Sequence, residues 1–128
     1  YYPEYYHFLS ELYREMRLEQ KCLDVLNKGL EVDPRSTMLL IDLAGYYFRG
    51  HRPTEVDSLI NVVMDIDSVE PYAFMYKGLL ADQNGRKQAA LDYFERFVKI
   101  NDRLPEVPII RKRINSIVLE LRDTTATQ

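Results

Sequence analysis

Prolines stand at positions 3, 71 and 105 of this chain, separated from one another by multiples of 34 residues. The remaining mark on that ruler, position 37, is threonine. Proline suits the first turn of a helix, where its missing N–H would have had no helical partner. Each window that opens on one of these marks reads as two amphipathic helices joined by a short turn. A fixed period of this length marks a helical solenoid, in which one unit cannot bury its apolar face alone and neighbours must stack.

Within each window, apolar residues recur at spacings of three and four and so share a helical face. The first window has Tyr6, Leu9, Leu12 and Tyr13, then Cys22, Leu23, Leu26 and Leu30. The second has Met38 to Phe48, a break at Gly50-His51-Arg52-Pro53, then Val56, Leu59, Ile60 and Val63, with Thr54 placed to help cap the new helix. The third runs Tyr72 to Leu80, turns at Asn84-Gly85, a pair suited to a positive φ, and resumes through Ala89, Ala90, Leu91, Phe94 and Val98. After Pro105 the pattern becomes one stripe, Ile110, Ile114, Ile117 and Leu121, with Arg111, Lys112, Asn115 and Arg122 turned away. That is a lid helix with one wet side, and Thr124 to Gln128 carries no apolar anchor and is expected to fray. The count is seven helices and no strands.

Several places in the frame hold the same kind of residue each time. The fourth place is Tyr6, Leu40 and Phe74; the eighth, which wants a small residue, is Ser10, Ala44 and Gly78. The eleventh is Tyr13, Tyr47 and a departing Ala81, the twentieth Cys22, Ala90 and a bulkier Val56, and the twenty-fourth Leu26, Ile60 and Phe94. Pro34, Ser68 and Asp102 share one further place, and Val63 and Phe97 another. With these residues in one uninterrupted frame, the chain resembles the tetratricopeptide repeat family across residues 3 to 104. The resemblance implies an all-α fold, a right-handed α–α superhelix (solenoid) of three helix pairs plus a C-terminal capping helix. Residues 1–128 then form a single domain, with repeats 3–36, 37–70 and 71–104, a capping helix over about 105–122 and a frayed tail at 123–128.

Composition sets what the chain is not. With 128 residues, 46% hydrophobic and 29% charged, it has the make-up of a globular domain, and a net charge of −3 argues against a nucleic-acid partner. No apolar run is long enough for membrane insertion. His7 and His51 lie far apart with no metal-ligand spacing, and Cys22 occupies a small-residue core place. Asp65, Asp67 and Glu70 lack the glycine of a calcium loop, Gly85-Arg86-Lys87 lacks the rest of a phosphate loop, and Arg111-Lys112-Arg113 reads as a wet face. No catalytic constellation, metal or cofactor is expected, and the chain is read as no enzyme. The start at Tyr1 without methionine, and the rings of Tyr1, Tyr2, Tyr5 and Tyr6, are read as a fragment of something longer, the alternative being tyrosines packed on the first repeat's own second helix. The compartment stays open, with the cytoplasm slightly favoured.

The resemblance implies that the first helices of successive repeats line a concave groove. Carried over by place, the groove receives Met38, Ile41 and Phe48, then Tyr72, Met75 and Leu79, with Arg14, Arg49 and Asp82 setting orientation at its rim. A subgroup of the family clamps a peptide carboxylate at places that here hold His7, Glu11, Gly45, Tyr72 and Tyr76; Glu11 would repel that group. An apolar, methionine-bearing groove suits an apolar or amphipathic segment of a partner protein instead. The expected role is a protein-interaction module, an adaptor or chaperone-like assembly or secretion factor. The alternative is a scaffold segment that self-associates through the groove or its N-terminal end.

Overall fold

The computed structural model describes residues 2–126; Tyr1 and residues 127–128, on which part of the expectations above fall, lie outside the described residues. Among the described residues there are seven helices and no strand: α1 (Pro3–Glu15), α2 (Glu19–Val32), α3 (Thr37–Arg49), α4 (Pro53–Ile66), α5 (Pro71–Gln83), α6 (Lys87–Ile100) and α7 (Val107–Ala126). They fall into two compact units, Tyr1–Ser68 with α1 to α4 and Val69–Gln128 with α5 to α7.

The turn inside each pair is one device used three times. Among the described residues, Arg17, His51 and Gly85, 34 residues apart, are those with positive φ, at 60°, 57° and 76°. One residue further on, the N–H groups of Leu18, Arg52 and Arg86 reach back to the carbonyls of Tyr13, Tyr47 and Ala81, each at 2.9 Å. This pairing satisfies carbonyls that the ending helix leaves without partners. It also starts the second helix at once, because the carbonyls of Leu18, Arg52 and Arg86 accept the bonds from Cys22, Val56 and Ala90. Only the third turn uses glycine; Arg17 and His51 hold a left-handed conformation that costs an L-residue about 1 kcal/mol.

Helix starts follow local chemistry. Pro3, Pro53 and Pro71 sit in first turns, and α3 is capped by Ser36, whose hydroxyl accepts from the Leu39 N–H at 3.3 Å. Thr54 lies inside α4 and makes no cap, since the helix already begins at Pro53. The last helix begins at Val107 and not at Pro105. A start at Pro105 would place Pro108 beyond the turn in which a missing N–H is harmless, whereas the observed start puts Pro108 in the first turn. At its other end α7 continues past Arg122 to Ala126, and the Thr124 hydroxyl donates to the Glu120 carbonyl at 3.0 Å.

The first unit packs Cys22, Leu26, Leu39 and Leu43 together, ringed by Tyr6, Tyr13, Leu30, Tyr46, Tyr47 and Leu59. Gly29 lets α2 approach closely: a Cβ there would lie 2.6 Å from Leu39 Cδ1 and 2.9 Å from Tyr6 Cγ. The second unit buries Phe94, Phe97 and Ile117 completely, with Val107 and Ile110 nearly so. Phe94 fills the gap opposite Gly78, where a Cβ would meet its ring carbons at 2.5 Å. Ring and small residue are thus a matched pair, as close packing requires.

Two glycines in the second unit therefore respond to alanine for different reasons. Gly78→Ala should cost about 1–3 kcal/mol by overpacking, and Phe94→Leu in the same chain should recover part of that loss. Gly85→Ala meets no atom within 4 Å and should lose about 1 kcal/mol through its backbone alone, with no rescue by Phe94→Leu. Phe94→Ala should cost about 3–5 kcal/mol. Denaturant titration of these variants beside the parent checks the set.

Candidate functional site

Residues at the expected groove places lie on α1 and α3 in the first unit and on α5 in the second. On α3, Met38, Ile41, Gly45, Phe48 and Arg49 share one face by their spacing. Met38 is 37% exposed, Ile41 and Phe48 are half-buried, and Arg49 is exposed. Arg49 also borders an open cavity of about 560 Å³ with Glu19, Leu23, Tyr46, Tyr47 and Arg52, on the side toward α2.

The edge of this face toward α1 is polar and tied. His7 Nδ1 lies 2.7 Å from Asp42 Oδ2, linking α1 to α3, and Arg14 donates to Glu11 at 2.6 Å. Burial pushes the Asp42 carboxyl up from its ordinary 3.8 to about 6, against the hydrogen bond and charge of His7, which pull it down. Asp42 was not visible as a site residue from the sequence. Its place in the frame, one after Ile41, was the only signal, and it acquires meaning once His7 is seen opposite.

On α5, Tyr72, Met75, Leu79 and Asp82 share a face, but two of the four are already engaged within their unit. The Tyr72 hydroxyl donates to Glu106 at 2.9 Å, and burial with this partner raises its ionisation above the usual tyrosine range. Asp82 receives Arg113 through both oxygens, at 2.6 and 2.8 Å, and Lys87 at 3.1 Å. Glu120 joins both cations, at 3.0 Å from Arg113 and 3.2 Å from Lys87. The Arg113 guanidinium holds the Asp82 carboxyl below the ordinary carboxylate value, against burial, with Lys87 adding to the effect. The basic run on α7 is accordingly divided: Arg111 and Lys112 are exposed, whereas Arg113 is half-buried and paired. Met75 is buried, so it forms wall more than open surface, and Leu79 is half-buried.

Cys22 is 2% exposed, and burial raises its thiol above the usual value. Among the described residues no cluster of three acidic, histidine or cysteine residues is arranged to hold a metal, and no helix is long and apolar enough to cross a membrane.

The tetratricopeptide repeat profile matches residues 3–36 and 73–103, just over half of the chain. The chain belongs to the tetratricopeptide repeat family. None of the curated proteins matches it. Among solved structures, it is similar to the first repeat domain of Spaghetti (RPAP3) bound to the HSP90 peptide SRMEEVD, with a TM-score of 0.76 at 18% identity, covering 94% of this chain and 93% of that one. PilF of Pseudomonas aeruginosa gives 0.79 at 18% identity, over 94% of this chain and 54% of that one. The type III secretion translocator chaperone SycD of Yersinia enterocolitica gives 0.76 at 12% identity, over 93% and 85%. These likenesses establish the fold: an all-α solenoid of helix pairs with a C-terminal helix.

The two aspartates should answer acid in opposite directions. For Asp42 the folded value lies above the ordinary one, so the folded chain takes up its proton first and stability rises as pH falls from about 7 to about 4. Asp42→Asn should flatten that rise. For Asp82 the folded value lies below the ordinary one, so its contribution is complete above about pH 4 and is lost on further acidification. Hydrogen exchange resolved by helix, read for α1 and α3 against α5 and α7, separates the two.

Proposed function

We propose that this chain is a protein-interaction module that takes an apolar or amphipathic segment of a partner against the first helices of its repeats. The single observation that carries the reading is the α3 face, where Met38, Ile41 and Phe48 offer apolar surface beside the exposed Arg49. The chemistry of such a surface is that of side-chain burial. Methionine adapts to a partner's shape, while Phe48 supplies area. Within the first unit Arg49 is exposed on that face, and Arg14 is held by Glu11 at its α1 edge.

Two of the related folds support a binding role by what they hold or do: one is bound to an HSP90 peptide and another is a secretion translocator chaperone. An assembly or secretion factor, shielding an apolar segment of its client, is the form of the role that agrees with the α3 face. An anionic peptide agrees less well, since Glu11 and Asp42 both sit at the α1 edge of that face.

Fluorescence anisotropy against immobile-end-labelled peptides tests this. Apolar and amphipathic helical peptides should bind the parent chain, and Ile41→Asp with Phe48→Asp should weaken them by at least about tenfold without loss of helicity. The acidic peptide SRMEEVD should bind no better than its scrambled form; tight, order-dependent binding of that peptide would overturn the apolar reading. Light scattering across a concentration series completes the test: dimers lost in the double variant would assign the face to self-association.

A further inference from the structure

The outward face of α1 is apolar along its whole length and uncovered. Tyr5, Phe8, Leu12 and Met16, spaced by three and four residues, are 62%, 67%, 51% and 56% exposed, and Tyr2 continues the row at 77%. The alternative that these rings pack on α2 fits Tyr6, which joins the core of the first unit, and not the exposed Tyr2 and Tyr5. Apolar side chains in a continuous row on one helix face are more than the scattered exposure normal for a surface.

The chain's own period says what kind of object covers such a face. Tyr5, Leu9 and Leu12 stand 34 residues before Leu39, Leu43 and Tyr46 of α3. In α3 those places lie under α2: Leu39 and Leu43 are 0% and 7% exposed, in one cluster with Cys22 and Leu26, and Tyr46 packs against it. Gly29 of α2 brings its backbone close to Leu39. Tyr5 and Leu12, exposed on α1, thus hold places that a helix covers on α3, whereas Leu9 is half-buried and Phe8 and Met16 extend the exposed row beyond those places.

The border of the row selects among helices. Glu4, Glu11 and Glu15 follow one side of it at helical spacing, with Glu4 and Glu15 exposed. A second copy related by a two-fold axis across the helices would bring the two acidic borders to the same side, where they repel. We propose that the outward face of α1 docks an amphipathic helix with a basic border, supplied by a partner protein and laid on α1 as α2 is laid on α3. This surface is distinct from the α3 face and does not depend on it.

The test uses two synthetic peptides of residues 17–33, the stretch that holds α2. One carries the native sequence and the other Gln20→Lys, Asn27→Lys and Glu31→Lys, which set three lysines along one border of the apolar stripe of Leu23, Leu26 and Leu30. The basic peptide should bind the chain about tenfold more tightly than the native one, and the preference should vanish with Glu4→Lys plus Glu15→Lys. Leu12→Asp, and separately Phe8→Glu, should abolish binding while circular dichroism stays unchanged; both positions are exposed, so either variant should fold. Ile41→Asp should leave this binding intact, which separates the result from that for the α3 face. Binding by neither peptide, or binding indifferent to Leu12→Asp and Phe8→Glu, would refute the proposal. Sedimentation showing a dimer that Leu12→Asp dissolves would give the face to a second copy and refute it equally.

Discussion

One left-handed residue closes the first helix of every pair, and the rest of the fold hangs on it. Arg17, His51 and Gly85 each reverse the chain within a single residue. The hydrogen bonds around them finish one helix and begin the next without an intervening loop. Because the turn has no slack, the second helix cannot rotate to choose which side it presents. The small residues must then fall opposite the large ones by register alone, as Gly78 does with Phe94 and Gly29 with Tyr6 and Leu39. A loop of variable length in that place would have removed the need for a strict period.

Much of this was legible in the sequence because periodicity and packing chemistry coincide there. The prolines gave the ruler, the alternation of small and large residues gave the matched pairs, and Asn84-Gly85 announced one left-handed turn. The same turn at Arg17 and His51 could not be read from residue type, since neither is glycine or asparagine; only their distance from Gly85 betrays them. The last helix begins at Val107 although Pro105 lies on the ruler, because Pro108 needs a place in the first turn. A period describes where a helix is wanted, but backbone sterics decide where it can begin.

The candidate site was legible in part. Spacing alone put Met38, Ile41 and Phe48 on one face of α3. It could not reveal that Tyr72 and Asp82 would be engaged by Glu106 and Arg113, because these partners come from 34 and 31 residues away in sequence. A run of three basic residues looked uniform and was not: the helix turns by about 100° per residue, so neighbours in sequence face different surroundings. Within its own unit each helix differs accordingly: α3 keeps an open apolar face, whereas the polar groups of the α5 face already have partners.

The buried thiol of Cys22 carries a further consequence. It sits among Leu26, Leu39 and Leu43 in the first unit, shut from solvent and with its ionisation suppressed by that burial. It is the chain's single cysteine. An alkylating reagent can reach it only when α2 lifts from α3, and its rate of labelling becomes a clock for that opening. Nature has left in this chain a built-in reporter of one interface, readable without adding any label to the surface that a partner would use.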